Sequence, residues 1–124
     1  LDCLERMVGG EIFVPKIPSM RVMDLAEVLA PGCRIEYIGI RPGEKLHEVL
    51  LSEDEARHAV SLGDRYVILP LHPWWDTGHW ADGKRLPEGF RYSSDQNEAW
   101  LSRDDLRALV EKEGFLAATT GGRV

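Results

Sequence analysis

Ile38-Gly39-Ile40-Arg41-Pro42-Gly43-Glu44-Lys45-Leu46-His47-Glu48 is the stretch from which the rest of the chain is read. A short apolar run leads into Pro42-Gly43, and Arg41, Glu44, Lys45, His47 and Glu48 crowd the turn around them. A strand that empties into such a turn delivers polar groups to the edge of a sheet, where α/β proteins commonly hold ligands. Arg41 offers a planar fork of donors suited to a phosphate or carboxylate, and Gly43 lets the backbone approach a ligand closely. Glu44, three residues after Arg41, can accept hydrogen bonds from a vicinal diol such as a ribose. The competing reading is a solvated turn closed by an Arg41–Glu44 ion pair.

Working outward, Arg34 to Ile40 alternates in a way that predicts a strand running into Arg41. Beyond the turn, Val49-Leu50-Leu51 predicts a short strand. Ser52 and Glu55 then form a capping box for a helix that carries Ala56, Ala59 and Val60 and closes at Gly63. Tyr66-Val67-Ile68-Leu69 predicts a further apolar strand, stopped by Pro70. Toward the N-terminus, Leu1, Leu4 and Met7 or Val8 keep helical spacing until Gly9-Gly10. Glu11 to Val14 predicts a short or edge strand, because Pro15 and Pro18 cannot donate to a ladder. Ser19 is placed to cap a helix with Val22, Leu25, Ala26 and Leu29 on one stripe, ended by Pro31-Gly32. Met20 and Met23 are read as core residues, with a ligand groove as the alternative.

Residues 71–89 form a long connection holding Trp74, Trp75 and Trp80. These rings either stack on a nucleobase or anchor the loop to the body or to a partner subunit. His72, Asp76 and His79 have no tight ligand pair and no fourth donor, so no metal site is expected. Tyr92-Ser93-Ser94-Asp95-Gln96-Asn97 groups hydroxyls, a carboxylate and amides ahead of a helix. Such a turn either grips sugar or phosphate oxygens or closes on its own backbone. The final helix has a capping box at Ser102 and Asp105, with Leu101 and Leu106 as its staple and Leu106, Leu109 and Val110 facing the core. Gly114 ends it, and residues 115–124 are expected to be a disordered tail.

At 124 residues and 44% hydrophobic content the chain supports one modest core, here assigned to residues 1–114. Fifteen basic against 21 acidic residues give a net charge of −6, which argues against nucleic acid as a partner. No apolar run approaches the roughly 20 residues that span a bilayer, and no signal-peptide pattern is visible, so no membrane partner is expected. Cys3 and Cys33 are read as reduced, buried thiols of a cytoplasmic protein.

Gly10-Glu11-Ile12-Phe13-Val14-Pro15-Lys16-Ile17-Pro18-Ser19-Met20, then Asp24-Leu25-Ala26, then Gly39 through Glu48, closely resemble the C-terminal part of one family. These are the inverting UDP-N-acetylglucosamine 4,6-dehydratases and their polysaccharide-biosynthesis relatives, within the extended short-chain dehydrogenase/reductases. Tyr92-Ser93-Ser94-Asp95, Asn97 and Trp100-Leu101 continue the match. The resemblance implies an α/β fold of a few short strands with three or four short helices, equivalent to the small substrate-binding domain of those enzymes. It implies that the parent enzyme uses NADP to dehydrate UDP-N-acetylglucosamine or a related UDP-sugar. The product would be a 4-keto-6-deoxy sugar nucleotide, inverted at C5, for surface glycans. Arg41 would hold the pyrophosphate, Glu44 the ribose or a neighbouring cation, and Ser93, Ser94, Asp95 and Gln96 the far side of the substrate. An N-terminal Rossmann domain of the same protein and a homo-oligomer are the expected partners. The family's G-x-x-G-x-x-G and Tyr-x-x-x-Lys elements are not in this sequence, so no catalytic residue is assigned and no turnover is expected of this chain by itself. An epimerase of the same superfamily and a non-catalytic interaction module are the alternative functions.

Overall fold

The computed structural model describes residues 1–76 and 78–114; the tail expected at 115–124 lies outside the described residues. In chain order the elements are α1 (Asp2–Arg6), β1 (Ile12–Pro15), α2 (Val22–Leu29), β2 (Val49–Leu51), α3 (Glu53–Ala56) and β3 (Ala59–Leu62). They continue with β4 (Arg65–Ile68), a 3-10 turn (Gly78–Trp80), β5 (Lys84–Arg85), β6 (Tyr92–Ser93) and α4 (Arg103–Lys112). This is a mixed α/β chain, and it divides into two compact units.

The first unit comprises Leu1–Ile17 and His47–Gln96. Its centre is the hairpin of β3 and β4, closed by Gly63 in the left-handed conformation (φ +52°) and by Asp64. β1 adds to the other side of β4 and β5 to the other side of β3, giving an antiparallel order β1-β4-β3-β5. β1 therefore lies at an edge, the position that Pro15 requires. Successive residues of a strand point to opposite faces, and the core divides accordingly. Val14, Ala59 and Ile68 join Leu51, Ala56 and Tyr92 in one cluster, whereas Val60, Val67 and Trp80 form another with Phe13 packed against them.

The connection at 71–89 is anchored by two of its tryptophans. Trp80 is 2% exposed, stands edge-on to Phe13 with ring centroids 5.6 Å apart, and donates Nε1–H to Glu11 Oε1 at 3.0 Å. Trp75 donates its indole N–H to the Gly9 carbonyl at 2.7 Å. Trp74 instead lies in solvent, stacked on His72. Gly83 makes the close approach to β3 possible, since a Cβ there would fall 2.6 Å from Val60 Cγ2. Among the described residues, no group of three His, Cys, Asp or Glu side chains is placed to hold a metal ion.

The second unit comprises Pro18–Leu46 and the residues from Asn97 onward. It is built on α2 against α4, with Val28 meeting Leu106 and Val110, and Leu25 and Leu101 beside them. Arg103 at the start of α4 ties the helices together through Asp24, at 2.6 Å, and through Glu27. A short parallel bridge joins Ser19 to Trp100: Ser19 N–H donates to Ala99 O and Leu101 N–H to Ser19 O, both at 2.8 Å.

Several local expectations are corrected. The helix beginning at Ser52 is capped as expected, Ser52 N–H donating to Glu55 Oε2 at 2.9 Å, but it ends at Ala56. Ala59–Leu62 is a strand because it is paired on both sides, and Gly63 closes a hairpin instead of a helix. Ser19 does not cap α2; the Ser19–Trp100 bridge takes its backbone, its Oγ accepts from Asn97 Nδ2, and Arg21 sits at the N-cap. Arg34–Ile40 forms no strand, since no strand among the described residues pairs with it, and every residue from 29 to 46 is exposed. Cys3 is half-buried and Cys33 exposed, both as free thiols, and Met20 faces solvent rather than a core.

The α4 cap is complete: Ser102 Oγ accepts from Asp105 N–H at 3.2 Å, and Asp105 Oδ2 accepts from Ser102 N–H at 2.9 Å. Ser102→Ala removes one of these acceptors and is expected to cost about 1 kcal/mol, read as a lower chemical-denaturation midpoint. Glu11 closes the Gly9-Gly10 turn in the same manner, accepting from Val8 N–H at 2.8 Å, Gly9 N–H at 2.7 Å and the Trp80 indole. Burial raises its pKa, but these bonds outweigh burial and hold it below the usual 4.5. A carboxylate lowered on folding contributes stability above its unfolded pKa and loses it as pH falls through the folded value. Glu11→Gln should therefore destabilise the protein at pH 7 by on the order of 1 kcal/mol. The gap to wild type should narrow as pH is taken below 4.5, which denaturation midpoints measured across pH will check.

Candidate functional site

Arg41-Pro42-Gly43-Glu44 is a four-residue turn with Gly43 at φ +87°, where the third position of a type II turn needs a positive φ. Glu44 N–H donates to Arg41 O at 3.0 Å, and Arg41 N–H returns a bond to Glu44 Oε2 at 2.9 Å. The other carboxylate oxygen lies 3.1 Å from Arg41 Nε. Glu44 thus spends both oxygens on locking the turn and one edge of the guanidinium. The arrangement is the ion-paired turn of the bland reading, yet it holds the arginine backbone still and leaves its side chain 71% exposed. Among the described residues Glu44 is the sole ion-pair partner of Arg41. The outer guanidinium nitrogens therefore face solvent, where an anion can reach them. Lys45 is exposed beside the turn.

A second polar turn, in the first unit, follows β6. That strand pairs with β2, Val49 opposite Ser93 and Leu51 opposite Tyr92, with a bulge between them. Tyr92 fixes the strand from below: its Oη donates to Ile17 O at 2.7 Å and accepts from Ile17 N–H at 2.8 Å, while its ring packs on Tyr66. Ser93 is 3% exposed, and its Oγ donates to Asp95 Oδ1 at 2.6 Å and accepts from Arg91 Nε at 3.2 Å. Arg91 Nη2 reaches both oxygens of Asp95, at 3.1 and 3.0 Å. Ser94 exchanges two bonds with Glu48, its Oγ accepting from Glu48 N–H at 3.0 Å and its own N–H donating to Glu48 O at 2.9 Å. Gln96 N–H closes the turn on Ser93 O at 3.2 Å.

The electrostatics of this turn follow from its donors. The Ser93 hydroxyl holds the Asp95 pKa below the usual carboxylate range against the opposing effect of burial, and Arg91 and His47 lower it further. Asp95 is therefore ionised at neutral pH and can only accept hydrogen bonds. Its side chain keeps 26% of its surface exposed and that of Arg91 34%, so the ion pair as a whole meets solvent.

Six residues were singled out from the sequence. The structure brings Ser93, Ser94 and Asp95 into one network, with Gln96 joined through its backbone. Arg41 and Glu44 form a separate network in the second unit. Arg91 was missed, and it is the cation that organises the second turn. The signal was present in Arg91-Tyr92-Ser93-Ser94-Asp95, since alternate residues of a strand share a face and Arg91 therefore lies beside Ser93.

No seat for a dinucleotide exists among the described residues. Their strand pairs are antiparallel throughout, and no glycine-rich turn leads from a strand into a helix N-terminus.

Comparison with known proteins agrees with the architecture. The chain is 42% identical over 123 residues to a UDP-N-acetylglucosamine 4,6-dehydratase (inverting) of Campylobacter jejuni, covering 93% of this chain but 37% of that protein. It is 45% identical over 119 residues to an uncharacterized membrane protein of Methanocaldococcus jannaschii, covering 87% of this chain and 33% of that one. Among the described residues here, no helix is long and apolar enough to cross a membrane. The solved structure of Pen from Bacillus thuringiensis superimposes with a TM-score of 0.71 at 33% identity, over 93% of this chain and 35% of its own. The chain thus spans little more than a third of the length of the relatives it matches. A family model described as polysaccharide biosynthesis protein matches residues 1–70, more than half of the sequence, and the chain belongs to the polysaccharide biosynthesis protein family.

Proposed function

We propose that this chain is the UDP-sugar-binding part of a longer, NADP-dependent lyase. That enzyme dehydrates UDP-N-acetylglucosamine to a UDP-4-keto-6-deoxy sugar inverted at C5. The reading rests on one observation above the others: the Arg41–Glu44 turn is rigid in its backbone and open at its guanidinium. The 42% identity to a dehydratase of that specificity supports it. Arg41 takes the pyrophosphate, and Glu44 aims the guanidinium while remaining within reach of the ribose. Ser93, Ser94, Asp95 and Gln96 take the sugar end. The exposed apolar side chains Tyr37, Ile38, Ile40 and Leu46 around the first turn support a covering partner, which we assign to a Rossmann domain of the same protein that carries the NADP. The enzyme is placed in the cytoplasm as a homo-oligomer, residues 1–114 acting as its substrate domain.

The test uses the full-length protein. Charge-assisted bonds contribute on the order of 1.5–3 kcal/mol each. Arg41→Ala should thus weaken UDP affinity by roughly tenfold to a hundredfold. Arg41→Lys should recover only part of the loss, because an ammonium cannot form the fork. Binding of NADP should be unchanged. Calorimetric titration with UDP decides: an Arg41→Ala protein that binds UDP as tightly as wild type makes Arg41 a structural ion-pair partner and removes the clamp.

A further inference from the structure

The segment from Arg34 to Ile40 has the composition and the course of a strand but no neighbour. Residues 33–40 run without a turn or bend, and no backbone group of residues 34–40 is hydrogen-bonded to a described residue. Each of these residues carries a donor and an acceptor that an adjacent strand would satisfy. Tyr37 is 79% exposed, Ile38 74% and Ile40 62%, and β-branched and aromatic residues of this kind favour strands. Edge strands that stay in water are blunted by charge, by Pro or by brevity. Here the two charges, Arg34 and Glu36, fall at the start, and nothing charged stands between Tyr37 and Ile40.

We propose that Arg34–Ile40 is a docking strand, which pairs backbone to backbone with an edge strand from a part of the same polypeptide that lies outside this sequence. The proposal rests on the reading above that this chain belongs to a longer protein, and it specifies how the cover over this face is held. Two considerations choose the occupant. The chain spans 37% of a dehydratase relative and 35% of the Pen chain, so most of a family member lies outside the matched region. A strand of the same polypeptide is also present at high effective concentration, whereas a second copy must be recruited from solution.

Backbone pairing, and not side-chain cover alone, follows from the donors and acceptors. A partner laid only over the apolar side chains would bury those groups unpaired, which is the costlier arrangement. Ile35, the least exposed of the four apolar residues, lines a cleft with Val28 and Pro31 at the end of α2, so the segment is seated on its own unit while its backbone stays open. Gly39, at φ +80°, supplies the left-handed residue that a glycine bulge uses. The ladder therefore runs over residues 34–38 and is kinked just ahead of the Arg41 turn, so docking fixes the approach to Arg41 as well as covering the patch.

Amide hydrogen exchange of the full-length protein, read residue by residue over 34–40, tests this, with calorimetric titration of the same sample with UDP beside it. A strand paired along one edge protects every second amide of 34–38, and one paired along both edges protects every amide. Exchange at those positions should be about a hundredfold or more slower than in an unstructured peptide. Exchange at peptide rates throughout the segment overturns the proposal, whatever covers the side chains. Protection that disappears on dilution together with a dimer, followed by light scattering, places the partner strand on a second copy and overturns the assignment to the same polypeptide. The two readings fail separately. Protection in a protein that does not bind UDP supports the docking strand and overturns the UDP-sugar reading, and UDP binding with the segment at peptide rates does the reverse.

Discussion

The Tyr92 hydroxyl is the interaction on which the first unit is arranged. One oxygen both donates to and accepts from the backbone of Ile17, just past the edge strand β1, and the ring beneath it packs on Tyr66 of β4. A residue from the small β2–β6 pair therefore fastens the end of β1 while filling the core between them. β6 is only two residues long and cannot hold its place by ladder bonds alone. With Tyr92 fixed, Ser93 must turn to the opposite side of the strand, and Arg91 with it. The order of the polar turn thus descends from a buried aromatic one position away.

The two polar turns are each built around an arginine–carboxylate pair. The turn at Arg41 is made from a Pro-Gly corner and a carboxylate that folds back on its own backbone, which leaves a cation outermost. The turn at Ser93 pairs Arg91 with Asp95 and with the buried Ser93 hydroxyl, and both charged side chains are partly exposed. In our proposal Arg41 answers the pyrophosphate.

Local chemistry was legible in the sequence, and pairing was not. The capping boxes at Ser52 and Ser102 form as read because their partners lie three residues away, and Arg41-Pro42-Gly43-Glu44 turns as its residue types require. The edge position of β1 is one of the two outcomes that Pro15 and Pro18 allowed. Ala59–Leu62 was misread because its small and apolar residues suit a helix, and only the strands on either side make it β. Arg34–Ile40 failed in the opposite sense: its alternation suits a strand, but a strand exists only where another backbone satisfies it. Of the six candidate residues, Ser93, Ser94 and Asp95 fall in one hydrogen-bonded turn, which composition alone left open between a ligand grip and local closure. Arg91 escaped because a cation beside a core tyrosine looks like an ordinary surface residue until the strand direction aims it at Asp95.

The central proposal is that the Arg41 turn holds the diphosphate of a UDP-sugar. Amide hydrogen exchange of the full-length protein, read residue by residue, tests this most directly. The account predicts slowed exchange at Arg41, Gly43 and Glu44 with UDP and with UDP-N-acetylglucosamine alike. Tight binding of either ligand with exchange unchanged at this turn would contradict it.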